Sequence, residues 1–61
     1  MTTADDRRRE LAALRTRASA EEAKRQAAIV RGDYPAVRGH ELELSRLHSR
    51  FVDLQREHSA A

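Results

Sequence analysis

The segment Arg31-Gly32-Asp33-Tyr34-Pro35 divides a 61-residue chain near its middle and constrains its fold more than any other feature. Upstream, nothing breaks a helix from Thr3 to Arg31, and alanine is abundant from Ala12 to Ala28. Gly32 falls where a left-handed residue ends a helix, and Arg31 suits the negative end of the helix dipole. Asp33 or Tyr34 can cap a second helix, and Pro35 fits its first turn. A stop signal joined so closely to a start signal predicts two antiparallel neighbouring helices. Thr3-Ala4-Asp5-Asp6 reads as a capping box opening the first helix. We expect an all-α single domain over residues 1–61: helix 1 over about 4–31, a turn over about 32–35 and helix 2 over about 35–58. Each helix would span ~35–40 Å. Met1–Thr2 and His58–Ala61 should fray.

Helix 2 carries the strongest periodicity. Val37, Leu44 and Phe51 recur every seven residues, and His40, Leu47 and Leu54 fill the intervening heptad positions. This is a coiled-coil seam interrupted at its start by His40. Leu44, Leu47, Phe51 and Leu54 should be buried against helix 1. Gly39, within the same helix, costs ~1 kcal/mol relative to alanine. It either is tolerated in the first turns or permits a close backbone approach.

Helix 1 has two apolar stripes on nearly opposite sides. One comprises Ala13, Thr16, Ala20, Ala23, Ala27 and Val30. The other comprises Leu11, Leu14, Ala18 and Ile29, interrupted by Glu22 and Arg25. Two faces imply two neighbours. The small residues would allow close approach of a helix, and Leu11, Leu14, Glu22, Arg25 and Ile29 would meet another chain. Glu22 and Arg25 would then fix the register of a homodimer or contact a polar partner. Self-association also answers a shortage of core. A chain this short buries only ~60% of its unfolded surface, and one core of this size supplies about 3–5 kcal/mol. It has no cysteine for disulfides or thiolate metal sites. The expected assembly is a homodimer, as a four-helix bundle or coiled coil.

Eleven of the twelve basic residues are arginine. Together with the frequent alanine this suggests a GC-rich bacterial genome. No apolar run approaches the ~18 residues of a membrane span, and the N-terminus lacks a signal-peptide core. A cytoplasmic protein that does not enter membranes is therefore expected.

Catalytic chemistry has little to work with. Ser19, Ser45 and Ser49 have no nucleophile elbow around them, and there is no glycine-rich phosphate loop. His40-Glu41 opens like the zinc motif H-E-x-x-H, but position 44 is leucine. Glu41, Ser45 and His48 share a helix face, with His58 farther along; a dimer could bring two such sets together as a metal or anion site, but a polar flank beside the Leu44–Phe51 seam is the simpler reading. We expect no enzyme, no catalytic residue, no metal and no cofactor. Nucleic acid is more plausible. Arg17, Lys24 and Arg31 recur every seven residues and Arg7-Arg8-Arg9 clusters at the start of the same helix, a row that could track phosphates. Against it, the net charge is only +2, aromatic interleaving is absent, and Glu21–Arg25, Glu43–Arg46 and Asp53–Arg56 have helix-pair spacing.

A hairpin of this length with a short turn resembles the plasmid copy-control RNA-binding Rop proteins. That likeness implies an antiparallel four-helix homodimer whose first helices bind paired RNA loops. Arg15, Ser19, Glu22 and Gln26 form a polar row similar to that of hairpin anti-sigma factors that bind cyclic di-GMP. Ser19 and Gln26 match that row; Arg15 and Glu22 replace its Glu and Arg, and Val30 its Asp. On helix 2, Glu41 and Ser45 match and His48, Val52 and Arg56 do not. This likeness implies a nucleotide sensor, or a related hairpin that captures a protein. The stretch RGDYPAVRGHELELSRL resembles the helical hairpin of phage terminase small subunits, without room for that family's usual DNA-binding domain. We expect a small regulatory or adaptor protein that self-associates and binds a protein partner.

Overall fold

The computed structural model describes residues 3–60, with side chains described through Glu57. The expected fraying of Met1–Thr2 and of His58–Ala61 therefore lies outside the described residues or side chains. Two helices pack as an antiparallel hairpin, α1 over Ala4–Arg31 and α2 over Tyr34–Ala60. No strand occurs among the described residues.

Local chemistry explains each boundary. At the start of α1, the Asp6 N–H donates to Thr3 Oγ1 at 3.1 Å and the Thr3 N–H donates to Asp6 Oδ2 at 3.3 Å. This reciprocal capping box satisfies two amides that a helix start otherwise leaves unpaired. At the other end, Gly32 adopts φ 72° and ψ 21°. Its N–H donates to the Ile29 carbonyl at 3.0 Å, and the Asp33 N–H donates to the Ala28 carbonyl at 2.9 Å. Together these form a Schellman motif, whose left-handed residue favours glycine. Asp33 then caps α2 by accepting from the Ala36 N–H at 3.3 Å. The turn is shorter than expected: Tyr34 and Pro35 already belong to α2.

The seam of α2 is as the heptad indicates. Val37, Leu47 and Leu54 are buried, while His40, Leu44 and Phe51 are half-buried. Leu14, Leu47 and Leu54 form the core cluster, with Leu11, Ala18 and Phe51 packed against it. On α1 the arrangement of the two stripes is the reverse of that expected. Ala13, Thr16, Ala20, Ala23, Ala27 and Val30 all face outward, Val30 with 87% exposure. The face turned to α2 instead contains Leu11, Leu14, Ala18, Glu21, Arg25 and Ala28, all buried or half-buried. The cause is size. Against Leu47, Phe51 and Leu54, leucines remove much more apolar area from water than alanines do, at ~25 cal/mol per Å².

The hairpin is slender. Its extents are 44 × 16 × 15 Å and its radius of gyration is 14.1 Å, against ~10.5 Å for a compact domain of this length. None of the described helical segments is long and apolar enough to cross a membrane. Gly39 lies on a part of α2 where an added Cβ would meet nothing within 4 Å. This favours simple tolerance over close backbone approach within the chain.

Candidate functional site: two unlike flanks of one hairpin

Two parallel rows of side chains flank the seam, and the antiparallel packing decides which rows meet. Residues one position before the α1 seam include Glu10, Arg17 and Lys24; the matching α2 residues include Glu43 and Arg50. These rows converge on one side. Arg50 donates to Glu10 Oε1 at 2.9 Å, and Arg17 lies 3.9 Å from Glu43. Glu43 also lies 3.8 Å from Arg46 within α2. The Glu10 carboxylate raises the pKa of Arg50, chiefly through that hydrogen bond. This flank is closed by ion pairs between the helices.

Residues one position after the seam form the opposite flank. On α1 they include Arg8, Arg15, Glu22 and Ile29; on α2 they include Arg38, Glu41, His48 and Gln55. Here the helices leave an open groove of about 350 Å³, lined by Leu14, Arg15, Ala18, Leu44, Leu47, His48 and Phe51. Its floor is apolar and its rims are Arg15 and His48. The Arg15 guanidinium lies 5.4 Å from the centre of the Phe51 ring, within cation–π range. Toward the turn, the same flank becomes charged. Arg25 donates to both Glu22 oxygens, at 3.0 and 2.5 Å, and Gln26 donates to Glu22 at 3.0 Å. These bonds, Arg25's first and Gln26's second, pull the Glu22 carboxyl down to about 2. Arg25 is raised in turn, mainly by Glu22 and with a smaller contribution from Glu41.

Between the flanks, within the seam, His40 Nδ1 lies 2.6 Å from Glu21 Oε1. An ionised carboxylate only accepts, so this contact places a proton on Nδ1. The bond from His40 is the main reason the Glu21 pKa is lowered. Lys24 lies 3.7 Å away on the solvent side. The His40 interruption of the α2 seam is thus matched by a polar residue on α1, and among the described residues no buried side-chain polar atom lacks a partner.

The residues singled out from the sequence are distributed among these features. Leu14 is in the hairpin's own core, with Leu11 against it, so their apolar surface is largely taken up within the chain. Ile29 is 41% exposed. Glu22 and Arg25 bond one another. Of the basic row, Arg17 faces Glu43, Lys24 faces Glu21 and Arg31 faces Asp33, each within 4 Å. Arg8 lies 3.9 Å from Asp5, and Arg7 is half-buried beside the seam while Arg9 is exposed. In the row likened to the anti-sigma hairpins, Glu22 already accepts from Gln26, and Arg15 lies over Phe51. Glu21 pairs with Lys24 and His40 where its spacing had pointed to Arg25. No group of three or more metal-ligating side chains occurs among the described residues; His58 lies outside them. Sequence reasoning missed the Glu21–His40 contact, the Glu10–Arg50 and Arg17–Glu43 bridges, and the groove itself. The seven-residue spacing of Leu14, Glu21 and Ala28 was the available signal. Comparison with protein families, curated proteins and solved structures finds no match to this chain.

Proposed function

We propose that the protein is a small non-enzymatic regulatory or adaptor module that acts by docking an amphipathic helix, from a second copy or from a protein partner, onto its open flank. The observation that carries this reading is the contrast between the flanks: one is bridged by Glu10–Arg50 and Arg17–Glu43, the other leaves Leu44, Phe51, Ala18 and Leu47 lining an unfilled groove. Apolar floors with charged rims are what helix-in-groove recognition uses. The carboxylates beside Arg17, Lys24 and Arg31 weigh against phosphate tracking by that row, since a phosphate would compete with an existing acidic neighbour.

Photo-cross-linking in the source cell tests the reading. A photoreactive residue at position 48, on the groove rim, should give discrete protein adducts, and one at position 43, on the bridged flank, should not. Equal adduct patterns from both positions, or none from position 48, would overturn it. Capture that collapses between about 50 and 200 mM salt and disappears with nuclease would instead favour nucleic acid.

A further inference from the structure

The charges along the open flank are arranged to complement themselves. The half near the chain ends carries the cations Arg8 and Arg15, with His48 beside them; the half near the turn carries the carboxylates Glu22 and Glu41, with Arg25 between them and Arg38 farther out. Ala18 and Leu44 line the groove between these halves, Ala18 near the midpoint of α1 and Leu44 about one turn before that of α2. We propose that the occupant of the groove is a second copy of this chain, laid antiparallel across it about a two-fold axis that passes near Ala18 and Leu44. This deepens the docking reading above and rests on it.

The arrangement follows from register. A two-fold axis perpendicular to the helices and close to position 18 brings Arg15 of each copy opposite Glu22 of the other. On α2 the same axis falls between His40 and Glu43, which the Glu21 and Arg17 contacts set level with Ala18. The smallest groove residue, Ala18, lies at the crossing, where two helices must approach most closely. The alternative two-fold, with both turns at one end, sets the carboxylates of Glu22 and Glu41 against each other. Like charges facing each other across an interface are costly, which favours the first register.

Surface area agrees with a second copy. The chain exposes 4760 Å² at a mass of 6.9 kDa. A compact monomer of that mass exposes ~4000 Å². The excess, about 760 Å², follows from the slender shape and leaves surface of the order of the ~800 Å² that each partner contributes to a standard stable interface. Pairing also thickens a body whose width is only 16 × 15 Å.

Sedimentation equilibrium of charge-reversed variants tests the proposal. The wild type should sediment as a dimer in the micromolar range. Arg15→Glu and Glu22→Arg should each dissociate at about 10-fold higher concentration or more, because each places like charges across the axis twice. An equimolar mixture of the two variants should recover wild-type affinity as a heterodimer, because both cross-axis pairs become opposite in sign. Circular dichroism on each variant shows whether the hairpin is intact. As a measurement independent of charge, the cysteine-free chain accepts single thiols: Ala18→Cys should cross-link to itself through a short bismaleimide, and Ala13→Cys on the outer face should not. A wild type that is monomeric up to about 100 µM overturns the second copy as occupant, whereas the cross-linking at position 48 decides the docking reading on its own. A wild-type dimer whose mixed variants fail to recover, or in which Ala13→Cys cross-links as well as Ala18→Cys, overturns this register.

Discussion

Toward the chain ends, the seam between the helices is apolar: Leu11, Leu14 and Ala18 meet Leu47, Phe51 and Leu54. Toward the turn it is mixed: Glu21 meets His40, Arg25 occupies the next position, and Ala28 and Val37 bury the last layer. One heptad geometry accommodates both. The apolar half supplies burial, which is strong and indifferent to register, because leucines slide past leucines at little cost. The polar half is sensitive to position, since a shift of α2 by one turn would leave Glu21 without its imidazole. A single polar layer in an apolar seam is the best-attested way to fix register in helical assemblies. We therefore expect the apolar half to supply most of the stability and the polar half to fix the register.

The largest effect that distinguishes the halves comes from the apolar one. Leu54 is 2% exposed and Leu47 is 6% exposed. Truncating either to alanine should cost about 2–5 kcal/mol, comparable with the whole stability of a domain this small. Thermal melts of Leu54→Ala should show loss of the cooperative transition. Phe51, half-buried on the groove, should cost less than Leu54 in the monomer. A Phe51→Ala change that costs more would indicate that the groove is covered.

Next in size is the turn. Gly32→Ala forces a Cβ into the left-handed region at φ 72°, at about 1–2 kcal/mol. Asp33→Ala removes the α2 cap, at about 1 kcal/mol. Both should lower the melting temperature while leaving the register of the helices unchanged, as measured by nuclear Overhauser contacts between Leu14 and Leu47. Register loss in either variant would mean that the turn, and not the Glu21–His40 layer, sets the alignment.

Acid titration addresses the polar half directly. Glu21 and Glu22 both have pKa values lowered by folding, Glu22 from 4.5 to about 2. Such groups stabilise the fold above the unfolded value near 4.5, and that contribution is lost as pH falls from there through the folded value. Glu22 is 43% exposed, so solvent and salt screen its share. The midpoint of urea denaturation should therefore fall as pH drops from about 5 toward 2. Glu21→Gln and Glu22→Gln should each flatten that slope, with Glu21→Gln the less salt-sensitive. A slope unchanged in both variants would remove the polar half from the account of stability.

The same division explains what was legible in the sequence. The seam of α2 could be read because apolar residues occupy five of its six positions, and the caps could be read because Thr3, Gly32 and Asp33 each act locally. The buried face of α1 could not be read in full. Extending Leu11, Leu14 and Ala18 at the 3.6-residue period of a straight helix leads to Glu22, Arg25 and Ile29. Extending them at the 3.5-residue period of packed helices leads to Glu21, Arg25 and Ala28, which the structure buries. The two periods diverge by ~20° per heptad, enough over two heptads to move the face by nearly half a residue's rotation. Apolar side chains would have marked the true track, but Glu21 and Arg25 occupy it. The open flank was hidden for a related reason: its polar and charged residues, Arg15, Glu22, Glu41 and His48, look like ordinary surface residues until the pairing of the helices places them on one side.

The smallest effect concerns Gly39, in the turn half of α2. An added Cβ there meets nothing within 4 Å, and the residue has no positive φ, Gly32 being the one glycine that does. Alanine can adopt the same backbone without strain and restricts the unfolded chain. Gly39→Ala should thus raise stability by about 0.5–1 kcal/mol. The residue lies away from the groove, one position before His40, so the change should leave the proposed pairing of two copies untouched. Measuring both quantities sharpens the comparison between the halves. A gain in stability with unchanged assembly would show that the turn half is weakened locally by a poor helix former as well as by its polar seam. A loss of stability, or a weaker dimer, would mean that a neighbour approaches the α2 backbone at Gly39, and that the second copy packs on a different face from the Ala18–Leu44 groove.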